Sequence, residues 1–434
     1  MNNDFFTTGR AWSEFKCLSF AVQIFIVCFV LIFASGQTFL HGCVPQIMIV
    51  MLGASLFSVL ERQRAKREKS IRLNGRLYPG TILLLLIALF CAIQTIEAFV
   101  PSIAKTYSTR YFIFAVLTLF VVKPSVFAIC VRFTSVYLNI CAVSLIVSSI
   151  ALGTKTGGLL GNYQAGGMMM SIACMLNIID YYRSDRGSKY LWLSLLTAAA
   201  LLVTGKRTFA IIALAGVLVL YAFASRNKTS LLKVIVVALL ISGVCVAAYE
   251  FTDFGRKAFE RFALLSSNDE FSAMSGRNLL WNAAWVTFKE HPLMGIGFGG
   301  FERWYAAFYE GNRGAAYLTH NIYYGMLAET GVVGTFLFCM LFSWGIVSTS
   351  RTLVAARRLE HEHVSDYVLV VSLALQIWFI AYGFTGNGIY DANEMFFYVI
   401  ALVMNLSVRH ALKIEELDSK PAAENPRRKA AAHA

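Results

Sequence analysis

Long apolar blocks alternate along this chain with short polar segments. A helix crossing a bilayer needs about 20 mostly apolar residues. Twelve stretches approach that length: 17–34, 39–60, 80–100, 110–122, 126–152, 164–182, 190–204, 207–224, 231–249, 332–350, 366–384 and 395–409. The pattern predicts an all-α integral membrane protein with about 12 transmembrane helices. Lys123-Pro124 interrupts one long stretch, which leaves open whether two spans are split there and whether 126–133 is a short interfacial helix. The first block lacks a small-residue cleavage site and reads as an uncleaved anchor.

One polar interval breaks the rhythm. Residues 250–331 form the only long segment without a span, and loops beyond about 15 residues are usually functional or disordered. This one is rich in Trp, Phe and Tyr and poor in Ser and Pro, which argues for order, with helices expected near 256–266, 276–290 and 300–309. The chain thus divides into a transmembrane bundle over 1–249, a long helical loop over 250–331, further spans over 332–410 and a flexible tail over 411–434.

Charge orients this arrangement. Lys and Arg collect in alternate loops: Arg62 to Arg76, then Arg183, Arg186 and Lys189, then Arg226 to Lys233, then Arg351, Arg357 and Arg358, and finally Arg427-Arg428-Lys429. By the positive-inside rule these loops are cytoplasmic, as are both termini, and the long loop is periplasmic. Composition agrees: 57% of the 434 residues are hydrophobic and 15% charged, too few charges to cover several soluble domains. The net charge of +13 comes without a basic stripe interleaved with aromatics, which argues against nucleic acid. The nine cysteines sit mostly in apolar runs, none spaced as CxxC, and none lies in the long loop.

A second set of charges falls where positive residues are disfavoured. Lys206 and Arg207 lie between the seventh and eighth blocks, flanked by Gly205 and Thr208. Charges at that depth are functional by default, with headgroup snorkelling as the alternative. Arg277 follows Ser275-Gly276 in the first turn of a predicted helix, where a cation is electrostatically misplaced and invites an anion or an ordinary carboxylate. Arg303 lies on the same side. His320, in Leu318-Thr319-His320-Asn321, stands just before a helix that re-enters the membrane and can exchange a proton near neutral pH, or merely serve the loop.

Several patterns carry less. The series Gly295-Ile296-Gly297-Phe298-Gly299 lacks the strand–turn–helix setting of a dinucleotide site and reads as a tight turn after a helix that Pro292 stops, with His291 structural. Gly331 and Gly334 would let the next span approach a neighbour closely. The glycine-rich entry Thr156–Gly167 suits either a cavity lining or helix packing. His361 and His363 have no clear further ligand for a metal.

Together, Ser-Gly-Arg followed by Trp281, His-Pro-Leu followed by the glycine series, and His320-Asn321 nine residues before Gly331-x-x-Gly334 resemble the extracytoplasmic loop of the O-antigen ligase and polymerase superfamily. Gly161-Asn162-x-x-Ala165 and Gly205-Lys206-Arg207 also stand where such proteins carry similar motifs. The resemblance implies a GT-C-type glycosyltransferase. Such an enzyme moves a polysaccharide from undecaprenyl pyrophosphate to a hydroxyl of the lipid A-core at the periplasmic face of the inner membrane. It implies His320 as the catalytic histidine and general base, with Arg207 and Arg277 at the donor diphosphate; Lys206 and Arg303 join them on charge and position. No DxD-like carboxylate cluster lies in the loop, so no metal or other cofactor is expected, and a single inverting displacement is. The His-Asn spacing favours a ligase over a polymerase, whose acceptor is a second lipid-linked glycan; a transporter is a more distant alternative.

Overall fold

The computed structural model describes residues 8–35, 40–64, 70–73, 77–183, 188–206, 208–214, 216, 277–308, 317–358 and 363–419. Nearly all of these residues are helical. The chain opens with α1 (Thr8–Cys17), α2 (Phe20–Ser35) and α3 (Val44–Arg64), the last preceded by a 3-10 turn at His41–Cys43. Then come α4 (Pro79–Gln94), α5 (Pro101–Leu117), α6 (Pro124–Leu152), α7 (Tyr163–Arg183) and α8 (Ser188–Val203). After the long loop's α9 (Arg277–Glu290) and α10 (Phe301–Phe308), the chain continues through α11 (Ile322–Arg358), α12 (His363–Tyr382) and α13 (Ala392–Ser419).

The boundaries follow local chemistry. Pro79, Pro101 and Pro124 each sit at the first helical position of α4, α5 and α6, where a missing N–H costs nothing and the fixed φ suits the helix. Lys123-Pro124 is therefore a true break, and residues 126–133 are the first turns of the 29-residue α6 rather than a separate interfacial helix. Gly153, at φ 60°, ends α6 in the left-handed conformation that glycine adopts without strain. The apolar stretch 110–122 divides: residues to Leu117 belong to α5, and Phe120–Val122 forms a short strand. That strand (β2) pairs antiparallel with Ile71–Leu73 (β1), Ile71 opposite Val122.

Among the described residues, five helical segments are long and apolar enough to cross a membrane: His41–Leu60, Pro124–Leu152, Ile322–Arg358, Val364–Tyr382 and Ala392–Leu412. α2, α4 and α8 are shorter apolar helices. The chain is thus an all-α, multi-pass membrane protein. The apolar window is 83% buried in α12 and α13 but 33% buried in α3 and α6, so the C-terminal hairpin forms the centre. The outer helices keep apolar side chains such as Ile49, Phe57, Ile140 and Val147 exposed, as a lipid-facing surface requires. Residues 231–249 and 256–266 lie outside the described residues, as does all of 207–224 except the helical 208–214 and 216.

The charges sort to the two ends of the bundle. At one end Arg183 and Arg357 converge on Asp366, and Arg132 meets Asp180 at 3.1 Å. At the other end His41 meets Asp391 at 3.1 Å. Asp391 also accepts the amides of Asn393 and Glu394; burial would raise its pKa, but these partners hold it below the usual carboxylate range.

The loop helices dock at this second end through a buried carboxyl group. α9 ends at Glu290, and Gly295, Gly297 and Gly299 all take positive φ to turn the chain sharply, as a glycine series allows. The turn wraps around Glu329 of α11: the amides of Gly299 and Phe301 donate to its two carboxyl oxygens at 2.8 and 3.0 Å. Gln94, at the end of α4, donates to the carbonyls of Met294 and Glu329 and accepts from the amide of Phe298. Gly331 (φ 59°, ψ −161°) breaks α11 two residues on, where any Cβ would lie 2.3 Å from the Leu293 carbonyl oxygen. This glycine serves a kink rather than a helix contact. Gly334 is the one that approaches a neighbour, with Phe90 of α4 over the place of a Cβ.

Replacing Glu329 with alanine would leave two buried amides without acceptors, at roughly 1–3 kcal/mol each. Glu329→Ala is therefore expected to lower unfolding stability by about 2–5 kcal/mol. Thermal or denaturant unfolding in detergent checks this; a change within about 0.5 kcal/mol, as at an ordinary surface position, would show that the turn does not depend on the carboxyl group.

Candidate functional site

His320 stands at the mouth of α11. Asn321 caps that helix, its side-chain oxygen accepting the amides of Tyr323 and Tyr324 at 3.0 and 3.3 Å. An N-terminal cap with this geometry is what a His-Asn pair before an apolar run provides. The amide of Ile322 donates to the carbonyl of Gly383 at 2.8 Å, pinning the start of α11 to the end of α12. His320 itself has φ 51°, the single non-glycine residue with positive φ among the described residues. A side chain held in this region costs on the order of 1–3 kcal/mol and persists only where its surroundings dictate it.

Three contacts supply that constraint. Trp281 of α9 donates its ring N–H to the Thr319 carbonyl at 3.1 Å and stacks on Tyr324, centroids 5.7 Å apart. Thr319 donates its hydroxyl to the Asn321 carbonyl. Asn387, in the loop between α12 and α13, accepts the His320 backbone N–H at 3.0 Å and meets the ring Nδ1 at 3.1 Å. The sequence reading missed Asn387. Its signal was a glycine-flanked amide, Gly386-Asn387-Gly388, in a short loop on the same side as His320.

The cations gather around this ring. Arg277 opens α9 at its first residue, as expected, and Lys206 lies in the turn after α8. Burial first, then the charge of Arg277, then that of Lys206, push the His320 pKa down from 6.5 to about 4. The imidazole is therefore neutral at pH 7. Because the folded pKa lies below the unfolded one, stability falls as pH drops from about 6.5 toward 4, where the unfolded chain takes the proton first.

The glycine-rich entry to α7 backs the Lys206 turn. Asn162 caps α7 through the amides of Gln164 and Ala165. A Cβ at Gly167 would press on Phe209, Lys206 and Thr204, so the pair Gly166-Gly167 gives this turn its room. The Lys206 ammonium lies over the Tyr163 ring at 4.7 Å. Phe209 stacks on Tyr382 of α12, centroids 5.3 Å apart. The structure thus joins His320, Arg277 and Lys206. Arg303 sits apart on α10, and Arg207 lies outside the described residues.

A separate cavity of about 600 Å³ lies on the far side of the glycine turn, lined among others by Gln94, Glu97, Phe99, His291, Trp304 and Phe308. Its lining includes neither His320 nor Arg277 nor Lys206.

His320, Arg277 and Lys206 thus lie near one another at one end of a multi-pass helical bundle, next to the loop that packs onto α11. Residues 192–339 match the family model described as O-antigen ligase (Wzy_C), a stretch that contains Lys206, Arg277 and His320. This stretch, about a third of the chain, is similar to the O-antigen ligase family. No curated protein matches the chain. Asn387 lies beyond the matched segment.

Removing a neighbouring cation should relax the ring. In Arg277→Gln the His320 pKa is expected to rise from about 4 toward 6.5, followed by NMR titration of ring-labelled histidine. An unchanged titration would show that the guanidinium does not act on the ring.

Proposed function

We propose that this protein is an O-antigen ligase of the inner membrane that acts in lipopolysaccharide biosynthesis. The donor is a glycan on undecaprenyl pyrophosphate and the acceptor a hydroxyl of the lipid A-core. In this reading both termini are cytoplasmic, the site faces the periplasm, and the architecture is GT-C-like. The observation that carries it is the convergence of Arg277 and Lys206 on a neutral His320 at the end of the bundle. A diphosphate is the anion such a cluster would hold, and its lipid tail would lie along the apolar helices. The His-Asn spacing before Gly331-x-x-Gly334 favours a ligase over a polymerase.

The reaction needs no nucleotide, because the pyrophosphate carries its own activation. The acceptor oxygen attacks the anomeric carbon as the bond from that carbon to the diphosphate breaks, inverting the centre in one displacement. Arg277 and Lys206, with Arg207 and Arg303, hold the phosphate oxygens and stabilise the charge that develops there. In this reading His320 is the group beside the reacting hydroxyl and the departing oxygen, and its lowered pKa keeps it neutral, as a group that takes or shares a proton must be. A residue of this kind contributes roughly 10²–10⁴-fold.

His320→Asn, which tolerates the same backbone conformation, should lower transfer by about 10²–10⁴-fold while leaving expression and melting temperature unchanged. Surface polysaccharide at near-normal level would overturn the assignment. Purified protein given lipid A-core should transfer glycan to it and should not extend a lipid-linked repeat; extension alone would mark a polymerase. Transfer should also survive EDTA. Loss on chelation that added divalent ion restores would refute the metal-free displacement.

A further inference from the structure

The contact between Asn387 and His320 fixes which ring nitrogen carries the proton. The backbone N–H of His320 can only donate, so the Asn387 atom 3.0 Å from it is the side-chain oxygen. The amide nitrogen of Asn387 then faces Nδ1 at 3.1 Å, and an amide nitrogen can only donate. Nδ1 is therefore the acceptor and holds the lone pair. A neutral imidazole has one N–H, which must lie on Nε2.

This arrangement depends on the backbone. With φ at 51°, His320 brings its own amide and its ring nitrogen to the same side chain. Turning the Asn387 amide over would set its NH₂ against the backbone N–H, so a flip alone cannot free Nε2. Among the described residues no protein group bonds to Nε2. The ring nitrogen that Asn387 does not hold is then a donor, on a ring that feels the charges of Arg277 and Lys206.

We propose that Asn387 is a positioning residue that locks His320 in the Nε2–H tautomer, and that His320 works as a hydrogen-bond donor to the diphosphate rather than as the general base read from sequence. The inference rests on the glycosyl-transfer reading above. As the anomeric carbon–oxygen bond breaks, its electron pair passes to the diphosphate oxygen, and Nε2–H donates to that developing charge. The acceptor oxygen forms the new bond to the anomeric carbon and releases its proton to water. His320 begins and ends the turnover neutral, with the same proton. The two cations and the ring then form one three-part clamp for the leaving group, which explains why a titratable residue is set where protonation is disfavoured.

The test is Asn387→Asp in the full-length protein, reconstituted with a synthetic polyprenyl-diphosphate oligosaccharide as donor and lipid A-core as acceptor. A carboxylate can only accept, so it moves the ring proton to Nδ1, bares Nε2 and raises the ring's basicity. Loss of a preorganised donor to a developing charge typically costs about 10²–10³-fold. N387D is expected to lose about that much kcat with little change in donor KM, at every pH where the ring is neutral. Transfer at or above the wild-type rate, with an acid limb moved to higher pH, would overturn the proposal, because it would mean that a bare Nε2 is what the reaction needs.

A second measurement requires no turnover and no variant that might misfold. In ring-¹⁵N-labelled wild-type protein, with the His320 signals among its seven histidines identified by their loss in H320N, the proton should reside on Nε2. A proton on Nδ1 would refute the lock directly. Wild-type protein that shows the Nε2–H tautomer but transfers no glycan would instead refute the ligase reading on which the donor role rests.

Discussion

A single buried carboxyl group organises the active end of the molecule. Glu329 is fully buried within α11, yet both its oxygens are satisfied, by the amides of Gly299 and Phe301. A polar group at that depth without partners would cost several kcal/mol, so the glycine turn and the helix each need the other. Gln94 extends the arrangement to α4, joining three segments of chain at one point. The kink at Gly331 follows from it. The amides of Val332 and Val333, freed by the break, donate to the carbonyls of Pro292 and Leu293 in the same turn. Everything above this point, including α9 with Arg277 and Trp281, is oriented by that anchor.

The site is then assembled in two halves with different tolerances. One half is rigid: Trp281 fixes the Thr319 carbonyl, Asn321 caps α11, and Asn387 grips His320 from the last loop. The other half is a turn between α8 and the helical residues 208–214, packed against glycines of α7 and carrying Lys206 over Tyr163. A strained histidine and a cation in a turn are a sensible division.

Much of this was legible in the sequence, for reasons that are local. Apolar block length located most of the described apolar helices, Pro and Gly marked several of their ends, and the helices expected near 276–290 and 300–309 are seen at Arg277–Glu290 and Phe301–Phe308. The side of the membrane on which each charge falls grouped Arg277, Lys206 and His320 before any distance was known. What escaped was non-local. Glu329 meets Gln94 across 235 positions, and Asn387 meets His320 across 67, separations at which no spacing rule operates. An acidic residue in the apolar run Ala328-Glu329-Thr330-Gly331 was itself a signal, since such a residue is expensive in a membrane without a partner. The break within 110–122 was hidden differently: Phe120, Val121 and Val122 suit a helix or a strand equally until a partner strand, 71–73, is supplied.

The placement of Asn387 also bears on how the protein is made. Trp281, Thr319 and Asn321 lie before the α12–α13 hairpin in the chain, whereas Gly383 and Asn387 lie within it, so the earlier helices can form without completing the surroundings of His320. Only when that last, most buried hairpin enters the bundle does the amide arrive to settle the ring. Packing of the last hairpin and orientation of the ring are thereby coupled: a chain whose α12–α13 hairpin has not yet packed would carry its histidine without the amide that holds it.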